Sequence, residues 1–109
     1  MNQTQRTLQE YRTSLSPAEV LAEAKQFFPR RNSLYAAFLD LEGPTFVSFR
    51  GQGGEELIIA ALTQDGATRV TGSTYLFDMQ IARFFTTLPP FQLEEKLLEP
   101  GTAAAGAVT

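Results

Sequence analysis

Cysteine, histidine and tryptophan are all absent from this sequence of 109 residues. Without cysteine there is no disulfide, thiolate nucleophile or thiolate metal ligand, and without histidine the most common general base is lacking. These absences remove most catalytic mechanisms and most transition-metal sites. We therefore expect a protein that is not an enzyme and that holds neither a metal ion nor a cofactor.

Positive charge is also scarce, because nine lysine and arginine residues stand against twelve aspartate and glutamate residues. The resulting net charge of −3 has the wrong sign for a nucleic-acid-binding surface, which needs clustered basic residues. No apolar run approaches the ~18 residues of a membrane span, and the polar start MNQTQRTLQE does not resemble a secretion signal. We expect a location in the cytoplasm or at the cytoplasmic face of a membrane complex, and no nucleic-acid partner.

The segment 45–75 has the pattern of three consecutive strands that are joined by two glycine turns. Asp65-Gly66 is typical of a type I′ hairpin turn. Gly51-Gln52-Gly53-Gly54 is favoured as a plain hairpin turn over a phosphate-binding loop, because no helix and no lysine follow it. The preceding segment 34–41, LYAAFLDL, is apolar on both faces and is predicted as a further strand. The sequence thus predicts a four-stranded antiparallel meander.

Two helices are predicted to flank this meander. The segment Ser16-Pro17-Ala18-Glu19 has the capping-box pattern, and a helix is expected from there to Phe28, where Pro29 ends it. Asp78 is predicted as the N-cap of a second helix that ends at Pro89-Pro90. The expected fold is α+β, in the order α-ββββ-α.

The sequence divides into a polar N-terminal arm (1–15), a single α+β domain (16–90) and a C-terminal extension with a tail of small residues (91–109). The arm carries scattered apolar residues, which suit a short helix and an extended segment equally well. No internal repeat is present.

The aromatic residues, nine phenylalanines and three tyrosines, are numerous for a core of this size. If both helices cover the face with Val47, Phe49 and Val70, the other face carries Phe46, Tyr75 and part of LYAAFLDL and is an apolar interface. The alternative, with about equal weight, is that the helices take one face each or that residues 91–98 cover the second face.

By the alternation of side chains along their strands, Arg50 and Arg69 are expected on the same type of strand face. They are expected either to meet a carboxylate of a partner or, as the favoured alternative, to pair with Glu55 and Glu56 of the neighbouring strand. The residues predicted to contact a partner are Phe38, Phe46, Arg50, Arg69 and Tyr75.

The layout of residues 17–88, helix then meander then helix, resembles the later part of the helix-grip fold of START-like (SRPBCC) domains. That resemblance implies a carrier of small apolar ligands, and no binding residue can be transferred from it. In role, an acidic chain of this size without cysteine or histidine resembles the membrane-extrinsic accessory polypeptides of bacterial photosynthetic reaction-centre and antenna complexes. The favoured interpretation is a non-enzymatic protein–protein interaction domain that serves as an accessory subunit of a larger assembly; the alternatives are a START-like carrier and a homodimer formed through the same sheet face.

Overall fold

A computed structural model of the protein describes residues 6–31 and 34–91. Within them lie five strands and two α-helices: β1 (Thr7–Thr13), α1 (Pro17–Phe27), β2 (Ala37–Glu42), β3 (Phe46–Gly51), β4 (Glu56–Gln64), β5 (Ala67–Thr74) and α2 (Asp78–Thr86), with a short 3₁₀ helix (Phe28–Arg30) directly after α1. The strands form one antiparallel sheet in the order β1-β5-β4-β3-β2. The predicted α+β class is confirmed, whereas the predicted number of four strands is wrong, because the sheet has five.

The additional strand is β1, which pairs with β5 along its whole length. Its side chains on the helix side are mostly polar and bind α2 and the segment after it. Thr7 Oγ1 donates to Asp78 Oδ1 at 2.7 Å, Gln9 Nε2 donates to the Asp78 carbonyl at 2.9 Å, and Tyr11 Oη donates to the Leu88 carbonyl at 3.1 Å. Residues 7–13 are therefore an extended strand of the sheet, so the extended alternative for this segment is the one observed and the short helix is not.

Both predicted glycine turns are present. Asp65 and Gly66 have φ angles of 54° and 80°, and they connect Gln64 directly to its cross-strand partner Ala67, as a type I′ turn requires. In the turn after β3, the Gly51 amide donates to the Glu55 carbonyl at 2.7 Å, so this loop is a hairpin between β3 and β4.

The start of α1 follows the capping-box prediction. The Glu19 amide donates to Ser16 Oγ at 3.1 Å, and the Ser16 amide donates to Glu19 Oε1 at 2.8 Å. The α-helix ends at Phe27, one residue before the predicted end, and the chain continues through Pro29 as the 3₁₀ helix.

The start of α2 differs from the prediction. Phe77 is the N-cap and gives no side-chain hydrogen bond to the helix, while Asp78 is the first helical residue. The prediction that Asp78 caps the helix is wrong because its carboxylate accepts the hydrogen bond from Thr7 of β1 instead. Neither helix in residues 6–31 and 34–91 is long and apolar enough to cross a membrane.

Both helices lie on the same face of the sheet, which we call the inner face. Phe28 after α1 contacts Phe49 of β3 and Phe84 of α2, with ring centroids 5.1 and 5.2 Å apart. Gly72 of β5 lies beneath Ile81, and a Cβ atom there would be only 2.5 Å from Ile81 Cγ2, so the glycine permits the close approach of α2. The larger side chains that are fully buried in this core are Phe28, Phe49, Phe84, Leu57, Ile59, Ile81, Val20, Val47 and Val70.

Candidate functional site

The opposite side of the sheet, here the outer face, has no helix or strand of residues 6–31 and 34–91 over it, because α1 and α2 are both on the inner face. Side chains alternate between the two faces along each strand, and the register of the strands determines which side chains are neighbours. One row crosses all five strands of the sheet: Leu8, Ser73, Ile58, Ser48 and Leu41. In the next row Glu10, Thr71, Ala60 and Phe46 lie side by side.

These two rows place a set of apolar side chains together at the middle of the outer face. Leu8 and Leu41 lie at its two ends and are 63% and 62% exposed, while Ile58, Ala60 and Phe46 are half-buried by their neighbours on the sheet and Ser48 is buried. Ser48 and Ser73 are the small residues between the larger ones. We call the following five residues the apolar band: Leu8, Ile58, Leu41, Ala60 and Phe46.

Paired charges lie along one side of the apolar band. Arg6 Nη1 is 3.0 Å from Glu56 Oε1, and Arg50 Nη2 is 3.2 Å from Asp40 Oδ2 and 4.0 Å from Glu56 Oε2. The Arg6 guanidinium also lies 4.9 Å from the ring centroid of Tyr75. This line of alternating charges is partly exposed, so it contributes little to stability, but each of its charges already has a partner.

A further pair of charges lies at the β1 end of the band. Arg69 Nη2 donates to Glu10 Oε2 across β1 and β5. This hydrogen bond, and then the charge of the guanidinium, lower the pKa of Glu10 and raise the pKa of Arg69. The outer face therefore has an apolar band with a line of paired charges along one side and a single charge pair, Arg69 and Glu10, at its β1 end.

All five residues that the sequence predicted as partner contacts lie on the outer face. Phe46 belongs to the apolar band, and Phe38 is the direct cross-strand neighbour of Arg50 at the β2 edge. Tyr75 follows β5 beside Arg6, at the same end of the face as Arg50, whereas Arg69 lies at the far end beside Glu10. The structure thus brings Phe38 and Arg50 together and keeps Arg69 apart from them.

The favoured pairing of both arginines with Glu55 and Glu56 needs correction. Arg50 is within reach of Glu56 but is closer to Asp40. Arg69 pairs with Glu10, which lies on the strand that the sequence did not predict. Glu55 instead accepts a hydrogen bond from the Gly53 amide at 3.0 Å, within the β3–β4 turn.

Sequence reasoning did not assign Leu8, Ile58 and Leu41 to this surface. Leu8 lies on the unpredicted strand. The uninterrupted apolar run LIIAAL does not show which of its alternate residues faces outward, so Ile58 could not be assigned. In β2 the register shifts between Leu39 and Leu41, a β-bulge that no sequence signal indicated.

The β2 edge extends the apolar surface. Phe38 is 56% exposed on the outer face at the open edge of the sheet, whereas Leu39, which is 45% exposed, is the partner of Phe49 and lies on the inner side. The bulge turns Leu41 onto the outer face, where its amide donates to Ser48 Oγ at 3.2 Å. Because a bulge interrupts the regular row of backbone groups, it disfavours the addition of another strand here. A partner would therefore contact the exposed side chains of β2 and would not pair with its backbone N–H and C=O groups.

No three carboxylates in the described part of the chain are placed to hold a metal ion. No protein-family model, curated protein or solved structure matches this chain, so its function has to be argued from the geometry of the sheet and its surfaces.

Proposed function

We propose that this protein is a non-enzymatic protein–protein interaction domain, an accessory subunit that binds a partner protein through the outer face of its sheet. The observation that carries the proposal is the apolar band, with paired charges along one side and the Arg69–Glu10 pair at its β1 end. Specific protein interfaces commonly have a desolvated apolar centre and a polar rim. The outer face has this arrangement across the full width of the sheet.

The charges at the rim indicate the chemistry of the partner. Glu56, Asp40 and Glu10 each have an arginine partner already, so a charged group on the other protein would have to displace an existing pair. An uncharged apolar surface can cover the apolar band and leave the arginine–carboxylate pairs in contact with solvent at the edge of the interface. The proposed partner is therefore a protein subunit with an apolar contact surface of low net charge.

The larger assembly is proposed from resemblance alone. A membrane-extrinsic subunit of a photosynthetic complex remains the specific form of the proposal, because small acidic accessory chains of this kind occur there. An accessory subunit of any other complex would use the same surface.

The alternative of a START-like carrier has less support. A carrier needs an apolar cavity between the sheet and its helices. The rings of Phe28, Phe49 and Phe84 pack against one another in that space and are fully buried. The outer face, in contrast, offers apolar side chains that the described helices leave uncovered.

The test places a negative charge in the apolar band. Leu41→Asp and Phe46→Asp should abolish the association with the partner, because a carboxylate cannot be desolvated there without a counter-charge. Ala22→Asp is the matched control, since Ala22 is exposed on α1, away from the sheet. We expect Leu41→Asp to leave the melting temperature nearly unchanged, as for other changes at exposed positions.

Association is measured by affinity purification from the native source with quantitative mass spectrometry, and light scattering of the purified chain reports self-association. The proposal requires one protein that the unmodified chain and Ala22→Asp retain and that both band variants lose. Retention of every associated protein by Leu41→Asp and Phe46→Asp would refute it. A homodimer that only the band variants dissociate would replace the partner subunit with a second copy of this chain.

A further inference from the structure

A cleft of about 440 Å³ lies between the end of the 3₁₀ helix, Tyr35 before β2, and α2. It includes no residue of the outer face and is separate from the proposed interaction surface. Three arginines line it: Arg30, Arg31 and Arg83. This concentration of positive charge occurs in a chain with a net charge of −3.

Within residues 6–31 and 34–91, none of the three arginines has a carboxylate partner, and Arg12 is the one other cation without such a partner. Elsewhere, Arg6, Lys25, Arg50 and Arg69 each pair with an acidic side chain. Arg12 donates to the Gln64 carbonyl at 3.1 Å. The positive charge that residues 6–31 and 34–91 leave unneutralised is therefore gathered mainly in one cleft.

One of these guanidinium groups is already held in position. Arg31 Nε donates to the Phe27 carbonyl at 3.1 Å, and its guanidinium carbon lies 4.0 Å from the centroid of the Phe27 ring. These contacts occupy one face and one N–H of the group and leave its other donors for a ligand. A guanidinium that is fixed in advance loses less conformational entropy on binding an oxyanion.

Gln80 gives the cleft a buried polar group. Its side chain is only 9% exposed, yet it makes no hydrogen bond within residues 6–31 and 34–91. Every side-chain polar atom of those residues that is fully shielded from solvent has a hydrogen-bond partner. The unpaired Gln80 amide must therefore be accessible to solvent, and the cleft is the space that Gln80 lines.

The remaining wall of the cleft is apolar. Leu76 and Met79 are 60% and 65% exposed, and Tyr35 presents its ring beside them. The volume lies in the range of small-molecule sites, where an apolar wall and a few polar groups act together. Guanidinium groups bind phosphate and carboxylate oxygens through paired, charge-assisted hydrogen bonds.

We propose that this cleft binds a small organic anion. Its phosphate or carboxylate group is held by Arg30, Arg31 and Arg83 with the Gln80 amide, and its apolar part lies against Leu76 and Met79. A long polyanion fits less well, because it would extend beyond the cleft over a chain whose net charge is −3.

Phenyl phosphate is the probe for this site, with inorganic phosphate and phenol as its two halves. Binding is followed by calorimetry and by the NMR signal of the Gln80 side-chain amide at constant ionic strength. Arg30→Gln and Arg83→Gln should each weaken binding of phenyl phosphate by about tenfold, since one charge-assisted hydrogen bond contributes on that scale. Arg12→Gln removes the same charge outside the cleft and should leave the affinity unchanged.

The proposal predicts saturable binding of phenyl phosphate that shifts the Gln80 amide signal and is tighter than binding of either half. It is overturned if no saturable binding occurs up to about 10 mM, a limit that corresponds to only about 2.7 kcal/mol of binding free energy. Equal weakening by Arg12→Gln and Arg83→Gln also overturns it, because that pattern reports net charge rather than a site. Binding of heparin but not phenyl phosphate, with the same arginine dependence, would replace the small anion with a polyanion.

Discussion

Replacing Phe84 by alanine tests whether the layer between α2 and the sheet is a packed core. The Phe84 side chain is fully buried, and its ring centroid lies 5.2 Å from that of Phe28 and 5.4 Å from that of Phe27. The substitution loses the transfer free energy of the ring and leaves a cavity, which together cost about 3 to 5 kcal/mol for a buried phenylalanine. This loss is large against the roughly 5 to 15 kcal/mol that stabilises a typical domain.

Urea denaturation followed by circular dichroism measures the effect. With an m-value of about 1.3 kcal/mol/M, a loss of 4 kcal/mol lowers the midpoint by about 3 M. Phe84→Leu keeps part of the side-chain volume and provides a measurable intermediate if the alanine variant does not fold. Met79→Ala on the same helix is the control, because Met79 is 65% exposed and its loss should change stability by no more than about 0.5 kcal/mol. A Phe84→Ala variant as stable as Met79→Ala would refute the described packing.

Two further predictions concern the capping box and the acid limb of stability. Ser16→Ala should lower the free energy of unfolding, measured by urea denaturation, by about 1 kcal/mol, because the Glu19 amide loses its acceptor. Ser14→Ala, at an exposed position, should have no effect, and equal losses in the two variants would contradict the capping role. Arg69 lowers the pKa of Glu10 in the folded protein, so the stabilisation is present above the unfolded pKa and is lost as the pH falls through the folded pKa. Carboxyl NMR titration should find the midpoint of Glu10 below the ordinary glutamate range and nearer to that range in Arg69→Gln; identical midpoints would exclude the pair in solution.

The elements that the sequence predicted correctly have strong local signals. Ser16 with Glu19 predicts the start of α1, and Asp65-Gly66 predicts the β4–β5 turn, because neighbouring residues alone determine those conformations. β1 lacks such a signal. Its inner side chains Thr7 and Gln9 are polar, since they bind Asp78 instead of packing into the core, and the strand therefore shows no apolar alternation.

The same omission explains the error at Asp78. An aspartate before an amphipathic segment is a good N-cap by its local pattern, but a hydroxyl 71 residues away uses its carboxylate. The cleft could not be predicted from neighbouring residues in the sequence for a similar reason. Arg30 and Arg83 are far apart in the chain, and only the packing of the 3₁₀ helix beside α2 brings them together.

The position of β1 in the sheet has a consequence for how the chain folds. Strands β2 to β5 pair in sequence order, and the β4–β5 turn closes over only two residues, so the meander assembles from contacts that are close in the chain. Thr7 pairs with Thr74 across 67 positions of sequence, so β1 has no partner until β5, the last of the five described strands, has been made. High sequence separation slows such pairing, so we expect β1 to dock in a late and rate-limiting step. Until then the long edge of β5 is open, and the chain's own N-terminal strand competes with foreign strands for that edge.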